Sequence, residues 1–343
     1  MVVSTEASRD GQAQGYLRPM DPTRDLGAIA DLIEEAFAQE IDERGRAAIR
    51  EMRWMARLTP LVWWWSQADP AFQDTFNGFV WEEPAPGGGK LIVGNVSLNR
   101  TPGSHQRRIV CNVVVQKEYQ GRGLGRRLTE AAVSQAQTSG AEGVVIQVHQ
   151  DNLRAHRLYS DLGFREATRD SDFQLAAVEP DSPKEAPGYH VRPWQPSDGR
   201  SVYELARLVT PAPLNWIRPV RPGSYQPGWW TRLGQRATDL FKQQHLHRLV
   251  VLHEAQLVAM LSVVASLREG AHQLEMLVHP EHRGKVEHAL VSQALDLLPA
   301  APSRPVQTTV LADHTTALDA LHDNGFEEKR TLLTLRKDFR RRG

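Results

Sequence analysis

The sequence has little thiol chemistry available to it, because Cys111 is the only cysteine among its 343 residues. A single cysteine excludes an intramolecular disulfide and a zinc site built from several cysteines. It also fits a reducing compartment, where thiols stay free. We therefore expect a cytoplasmic protein that uses no disulfide and no metal.

Neither sign of charge predominates, since 41 lysines and arginines balance 41 aspartates and glutamates. This balance provides no global field for nucleic acid or for an anionic membrane surface. Long hydrophobic runs are also missing: the most apolar window, residues 249–267, is interrupted by His253, Glu254 and Gln256. Such interruptions argue against a membrane span. The first residues lack the apolar stretch of a secretory signal, so we expect neither a membrane nor nucleic acid as a partner.

What the sequence does contain is an internal repeat. Val115 matches Val278 at an offset of 278 − 115 = 163, and Gly163 matches Gly325 at an offset of 325 − 163 = 162. Landmarks at a nearly constant offset indicate a duplicated domain, and the length of the chain also predicts two domains. We predict a flexible N-terminus over residues 1–14, a first domain over 15–179, a linker over 180–187 and a second domain over 188–343.

Hydrophobic patterning predicts the elements of the first half. Residues 90–100, 107–115 and 143–150 are rich in β-branched residues and are expected to be strands. Residues 123–139 and 152–162 show helical periodicity. Strands around a central helix predict an α/β fold, with a mixed, mostly antiparallel sheet flanked by helices in each half.

The stretch QGRGLG, residues 120–125, follows one of these strands and opens a helix. Gly123 and Gly125 lack Cβ atoms and leave the backbone amides open to an approaching anion. The amides add to the positive end of the helix dipole, and Arg122 and Arg126 supply further charge. The stretch matches neither the dinucleotide fingerprint nor the Walker loop, so by itself it predicts only a cradle for a pyrophosphate.

A second motif, DNLRAHRLYSDLGF at residues 151–164, makes the pattern specific. With both motifs on the expected elements, the chain resembles the GCN5-related N-acetyltransferase (GNAT) family. The resemblance covers about residues 15–179, and residues 188–340 resemble a degenerate second copy. It depends on matching positions in the two motifs: Gln120, Gly123 and Gly125 in the first, and Asn152, Ala155, Leu158, Tyr159, Gly163 and Phe164 in the second.

The resemblance implies acetyl-CoA as cosubstrate, with no metal. The backbone at Val113 and Val115 would bind the pantetheine arm as an added strand, and one of its amides would polarise the thioester carbonyl. Asn152 would contact the pantetheine side. Tyr159 would lie near the sulfur and protonate the leaving thiolate, although an inward-packing role for this tyrosine stays open. The pyrophosphate would be held by the amides of Gln120, Gly121, Arg122, Gly123, Leu124, Gly125 and Arg126.

The general base is not evident from the sequence. Relatives that resemble ribosomal-protein N-terminal acetyltransferases carry a glutamate five residues before the asparagine, whereas this chain has Gln147 there. His149 lies two residues further on the same strand face, and an imidazole suits a base near neutral pH. A structural role for His149 and a base formed by a water chain both remain open.

The second copy lacks several of these features. Val286 and His288 stand where the first copy has glycines, and Glu287 adds a negative charge between them. Leu321 replaces the tyrosine and His314 the asparagine. We therefore expect the second half to be a structural partner that binds no acetyl-CoA. The duplication also resembles mycothiol synthases, but there the second domain is generally the active one, which argues against transferring their substrate.

A cluster of tryptophans follows the first helix, at Trp54 and at Trp63, Trp64 and Trp65. Core packing, an aromatic acceptor pocket and self-association into a homo-oligomer remain open for it. The leading hypothesis is an N-acetyltransferase that acts on a primary amine of a small molecule or a peptide. The alternatives are a protein N-terminal or lysine acetyltransferase and a non-catalytic acetyl-CoA-binding regulatory module.

Overall fold

The first half of the chain folds as the patterning predicted, with strands and helices at nearly the expected bounds. The computed structural model describes residues 15–38, 43–57, 77–85, 87–101, 104, 106–178, 184–225, 244–267, 270–298 and 304–339. Within these, the elements of the first half are β1 (Tyr16–Pro19), α1 (Pro22–Ala36), α2 (Glu43–Arg57), β2 (Gly78–Pro84), β3 (Lys90–Arg100), β4 (Arg107–Val115), α3 (Leu124–Thr138), β5 (Gly143–His149), α4 (Leu153–Asp161) and β6 (Arg165–Leu175).

The second half repeats this order, with two short helices where the first half has α2. Its elements are β7 (His190–Pro193), α5 (Gly199–Val209), α6 (Ala212–Ile217), α7 (Pro222–Tyr225), β8 (Gln244–His253), β9 (Gln256–Ser266), β10 (His272–Val278), α8 (Glu287–Asp296), β11 (Val306–Leu311), α9 (Thr315–Asp323) and β12 (Glu327–Asp338). Among the described residues, no helix is both long and apolar enough to cross a membrane.

The contacts divide the chain into two compact units that do not coincide with the two halves of the repeat. The first unit holds the described residues up to Ile146, the segment Arg157–Arg165 and the chain from Arg336 onward. The second holds Gln147–His156 and Glu166–Leu335. The division at residues 179–188 stays our proposal for the extent of the duplicated sequence.

In the first unit the strands lie in the order β1, β2, β3, β4 and β5. Neighbours are antiparallel except β4 and β5, which run parallel from Arg107↔Gly143 to Val110↔Ile146. The end of the chain runs beside the start of β5, where the Phe339 amide donates to the Glu142 carbonyl at 2.9 Å. A mixed sheet was the prediction, and it is confirmed.

In the second unit β6 is paired with a strand of the other half of the sequence. It is antiparallel to β11 from Leu175↔Val306 to Asp170↔Leu311. The order continues through β10, β9 and β8 to β7. The final strand of the first half thus completes the sheet of the second unit, while the chain end that follows β12 belongs to the first unit.

Local sequence explains where the helices begin. The helix α1 starts at Pro22, which needs no amide partner, and the Asp21 carboxylate accepts from the Thr23 amide as the N-cap. The helix α3 contacts β2, β3 and β4. It approaches β3 so closely that a Cβ atom on Gly94 would lie 2.9 Å from Leu128 Cδ1, so the first turns of α3 pack directly on the sheet.

A bidentate ion pair at the start of each half confirms the repeat in three dimensions. Arg18 donates to both carboxylate oxygens of Asp25 at 2.6 and 2.9 Å. Arg192 donates to both oxygens of Asp198 at 2.7 and 2.7 Å. The same pair in the same place supports the tandem architecture.

Candidate functional site

The loop between β4 and α3 is shaped by two glycines in the left-handed region. Gly121 has φ 84° and Gly123, the N-cap of α3, has φ 78°. A Cβ atom at either position would meet nothing within 4 Å. The backbone angle therefore demands glycine here, and the space beside the loop stays open.

The first amides of α3 face this open space. Within the described residues, no side chain caps the helix and its first turn contains no acidic residue. The first four amides of a helix have no partner inside the helix, so they are available to an anion. The predicted cradle, from Gln120 to Arg126, is thus in a conformation suited to phosphate oxygens.

Side chains around the loop hold it in place and add positive charge. Gln120 Nε2 donates to the Val115 carbonyl at 3.0 Å, which ties the loop to the end of β4. The Arg122 guanidinium lies 4.8 Å from the centre of the Tyr119 ring. Arg126 donates to Asp161 at 2.8 Å, which connects α3 to the end of α4.

The strand β4 carries a bulge that its sequence pattern did not predict. Its register with β3 moves from Asn95↔Val114 to Ser97↔Cys111, so β4 has one extra residue there. Asn112, at the bulge, has φ 51°. The pairing of β4 with β5 ends at Val110, before the bulge. Val113 and Val115, the predicted pantetheine contacts, therefore lie beyond the part of β4 that pairs with β5.

Tyr159 lies on α4 in the same unit as the loop, and its ring is only 5% exposed. The Phe164 ring packs 5.9 Å away. Within the described residues the Tyr159 hydroxyl has no hydrogen-bond partner. Burial raises its pKa to about 12, so the hydroxyl keeps its proton at neutral pH and can donate it to a ligand.

The helix α4 also contacts the glycine loop directly. A Cβ atom on Gly125 would lie 3.7 Å from Leu158 Cδ2 and 4.0 Å from Val115 Cγ2, both ordinary contact distances. Leu158 precedes Tyr159 on the helix. The cradle, the end of β4 and the tyrosine-bearing turn of α4 thus belong to one packed group.

The remaining predicted residues belong to the second compact unit. Gln147 Nε2 donates to Thr334 Oγ1 at 3.3 Å, so this side chain bonds β5 to β12. His149 ends β5, and its carbonyl accepts from the Asn152 amide at 3.0 Å. Asn152 Oδ1 accepts from the Ala155 amide at 3.0 Å, which makes it the cap of α4. The roles of His149 as base and of Asn152 in binding pantetheine stay predictions.

The equivalent loop of the second half is filled by its own carboxylate. Glu287, in the first turn of α8, is 1% exposed. Both of its oxygens accept from the Gly284 amide at 2.9 Å, and one accepts from the Val286 amide at 3.1 Å. His314 Nε2 and the Thr316 hydroxyl each donate to it at 2.8 Å. An internal anion therefore occupies the amides that a phosphate would need.

These bonds determine the charge of Glu287. Burial by itself raises the pKa of a carboxyl group, but the hydrogen bonds from His314, the Gly284 amide and Thr316 outweigh it and lower the pKa to about 2. The carboxylate is therefore ionised at neutral pH, and because it can only accept, His314 Nε2 must carry the proton that it donates.

The side chains of Val286 and His288, which replace the two glycines, lie away from the loop amides that Glu287 occupies. Val286 is 1% exposed and packs in the core of the second unit. His288 lies near Asp323, with Nδ1 at 3.8 Å from a carboxylate oxygen. The valine has φ −125° where the first copy has a left-handed glycine, so the backbone itself differs.

Two further features of the first half are missing from the second. The pairing of β10 with β9 runs without a register shift from Gln273↔Val264 to Val278↔Ala259, so the bulge of β4 has no counterpart. Leu321, at the position of the tyrosine, is fully buried and has no hydroxyl.

The tryptophan cluster and the single cysteine are the other features singled out from the sequence. Trp54 is 57% exposed on α2, whereas Trp63, Trp64 and Trp65 lie outside the described residues. Burial raises the pKa of the Cys111 thiol to about 12. The thiol is therefore protonated at neutral pH and is not an activated nucleophile.

The mixed sheet, the bulged strand and the open amides define an α/β protein with an uncapped helix N-terminus beside open space. Residues 31–164 match the model of the Acetyltransferase (GNAT) family. Over these residues the chain therefore resembles the GNAT family of acetyltransferases, as the two motifs predicted.

Similar proteins agree with this assignment. A mycothiol acetyltransferase from Kocuria rhizophila is 32% identical over 155 residues, which are 43% of this chain and 45% of that protein. The chain thus matches less than half the length of this relative.

Two solved structures share the fold over nearly the whole chain. A GCN5-related N-acetyltransferase from Sphaerobacter thermophilus has a TM-score of 0.60 at 19% identity, covering 94% of this chain and 95% of that one. A tandem GNAT protein from the clavulanic acid biosynthesis pathway has a TM-score of 0.54 at 16% identity, covering 95% and 98%. The tandem GNAT fold is therefore confirmed.

Proposed function

We propose that the first half of the chain binds acetyl-CoA and transfers the acetyl group to a primary amine of a small molecule or a peptide. The observation that carries this proposal is the pairing of an open cradle, at Gly121 and Gly123, with a buried and protonated Tyr159 in the same packed unit. A protein that only sensed acetyl-CoA would need the cradle but no hydroxyl at the sulfur.

The reaction proceeds by direct attack. The amine nitrogen attacks the thioester carbonyl carbon, and a backbone amide at the bulge of β4 stabilises the oxyanion that forms. The carbon–sulfur bond then breaks, which releases the coenzyme A thiolate and leaves the acetyl group on nitrogen. The nitrogen loses one proton and the sulfur gains one, so the products are an acetamide and the free thiol.

Tyr159 assists the departure of the sulfur as a hydrogen-bond donor. A phenol with a pKa raised to about 12 is a much weaker acid than a thiol, whose pKa is about 8.5. The phenol therefore stabilises the developing thiolate by a hydrogen bond and keeps its proton. The thiolate is protonated by the proton that the attacking amine loses, which His149 or water transfers.

The second half supports the first without binding acetyl-CoA. Glu287 already occupies its loop amides, and the bulge and the tyrosine are absent from β10 and α9 within the described residues. Calorimetric titration is expected to find one acetyl-CoA per chain. Two bound molecules would contradict this part of the proposal.

The activity is tested by release of coenzyme A thiol from acetyl-CoA across a panel of amines: polyamines, amino acids, aminoglycosides, aromatic amines and short peptides. Amine-dependent release that falls about 100-fold in Tyr159→Phe supports the proposal and names the acceptor class. Release with peptides alone favours a protein acetyltransferase. Binding of acetyl-CoA with no release from any amine favours a regulatory module.

A further inference from the structure

A cluster of metal-binding side chains lies in the second unit, outside the acetyl-CoA site. His279, Glu281 and His282 follow β10 on a short 3-10 turn. Each offers one ligand atom, and these atoms all lie within 4.8 Å of one another. Both histidines are half-buried and Glu281 is exposed, so an ion from solution has access.

A third histidine approaches the cluster from the end of β8. The His253 ring lies 5.2 Å from the His282 ring, centre to centre. Its Nδ1 lies 3.1 Å from the Gly188 carbonyl. A carbonyl oxygen only accepts, so Nδ1 carries the proton and Nε2 of the neutral ring keeps its lone pair for a ligand.

Tyr189 orients two of these rings. Its hydroxyl lies 3.0 Å from His282 Nδ1, and its ring stacks on His253 at 4.7 Å between centres. Histidines that bind metals usually have the other ring nitrogen held by a carbonyl or a similar group, which sets the tautomer and aims the lone pair. His253 shows this arrangement, and the Tyr189 hydroxyl can hold His282 in the same way by accepting from its Nδ1.

We propose that His279, Glu281 and His282, with His253 as a fourth ligand, bind a divalent transition-metal ion of the Zn²⁺ class. Imidazole nitrogen with one carboxylate oxygen is a donor set that suits Zn²⁺ better than Mg²⁺ or Ca²⁺. Bonds of about 2.0–2.2 Å in a tetrahedral site require the four ligand atoms to draw closer than they are without the ion. The long 3.4 Å contact between the Glu281 amide and His279 Nδ1 is easily given up for this.

The site is a property of the second half alone. At the repeat offset of 163, His279 and His282 correspond to Gln116 and Tyr119 in the first half, and β2, the counterpart of β8, ends at Pro84 rather than at a histidine. Only the glutamate is shared. No metal was expected because the single cysteine excludes a site built from several cysteines, but the stretch HPEH at residues 279–282 offers two histidines and a glutamate.

The function of the ion is to hold the turn after β10 against the end of β8. Zn²⁺ bound only to the folded state raises its stability by mass action, so the melting temperature of the chain rises with Zn²⁺ concentration. This effect is independent of acetyl transfer, and the first half can act as an enzyme whether or not the ion is bound.

The test uses the full chain prepared without a histidine tag and with metals removed. Zn²⁺ is titrated in competition with a chromophoric chelator, and Co²⁺ is added in parallel so that its visible spectrum reports nitrogen ligation. We expect one Zn²⁺ per chain, affinity lower by about tenfold or more in His282→Ala and in His253→Ala, and no binding of Mg²⁺ or Ca²⁺ at the same concentration.

The matched control changes another histidine pair on the same strand. His245 and His247 lie on β8 with ring centres 6.5 Å apart, and the double change to alanine is expected to leave Zn²⁺ affinity unaltered. Equal loss of affinity in the control would overturn the proposal, as would absence of Zn²⁺ binding in the unaltered chain. Near-ultraviolet circular dichroism shows that each variant is folded, and the Co²⁺ spectrum of the unaltered chain tests the ligand set without any substitution.

Discussion

Replacing Glu287 by glutamine is expected to destabilise the second unit by an amount that depends on pH. The carboxylate accepts from the Gly284 and Val286 amides, from His314 and from Thr316. Glutamine has nearly the same shape, but it has a single acceptor oxygen and no charge. The substitution therefore removes the ionic contribution while it leaves the packing of α8 almost unchanged.

The magnitude follows from the pKa. Lowering the pKa of this carboxyl group from 4.5 to about 2 corresponds to about 3 kcal/mol of stability, at about 1.36 kcal/mol per pKa unit. Because the folded-state pKa is depressed, this contribution is complete above the unfolded-state pKa and is lost as the pH falls toward 2. At about pH 3.5 roughly 2 kcal/mol remains, and near pH 2 almost none.

Hydrogen exchange of the α8 amides is the suitable assay, because a chain with two compact units need not unfold in one step. At neutral pH we expect protection in Glu287→Gln to fall about 100-fold in this helix, with the deficit shrinking as the pH is lowered. The control is Glu204→Gln, which breaks an exposed i,i+4 pair with Arg200 and should change protection little. The reasoning would be refuted if Glu287→Gln caused no loss of protection in α8, or if that loss stayed constant between neutral and acidic pH.

Three further predictions concern the first half. Gly123 and Gly140 lie at opposite ends of α3 with φ 78° and 77°, and a Cβ atom at either would meet nothing within 4 Å. Gly123→Ala and Gly140→Ala each place an alanine in this left-handed conformation, so each should lower the free energy of unfolding by about 1 kcal/mol. Only Gly123→Ala should weaken acetyl-CoA binding, by about tenfold or more in calorimetry; equal weakening by both would place the cradle elsewhere. Tyr159→Phe should lower kcat about 100-fold and leave the Kd for acetyl-CoA unchanged. Burial raises the pKa of Tyr159 to about 12, so the pH–rate profile of the unaltered protein should show no loss of activity from ionisation of this tyrosine at neutral or mildly alkaline pH. Such a loss would contradict the role of Tyr159 as a hydrogen-bond donor. Asn112→Val should lower both the melting temperature and kcat/KM, because a β-branched residue rarely adopts φ 51°. Asn112→Gly should keep both the bulge and the activity. Similar values of kcat/KM for the two variants would mean that the bulge is not needed for activity.

Local features of the site were readable from the sequence because glycine and tyrosine act through their own geometry. The turn was predicted at Gly123 and Gly125, and the left-handed residues are Gly121 and Gly123, where no other residue has equal freedom. The strands at residues 90–100 and 107–115 were predicted at the bounds observed, because β-branched runs bounded by turns allow few other structures. The degenerate character of the second copy was also evident from Glu287 and Leu321.

Tertiary structure decided what those residues do together. A charge at Glu287 is visible in the sequence, but its burial against the Gly284 amide and His314 depends on how α8 and α9 meet. The bulge at Asn112 depends on pairing with β3, and no local propensity requires it. The sequence by itself determined the repeat, the glycine loop and the resemblance to the GNAT family, because these depend on residue type and spacing. The tertiary structure alone decided that β6 pairs with β11 and that His253, at the end of β8, and His282, on the turn after β10, meet at Tyr189. Contacts between distant residues leave no periodic trace in the chain.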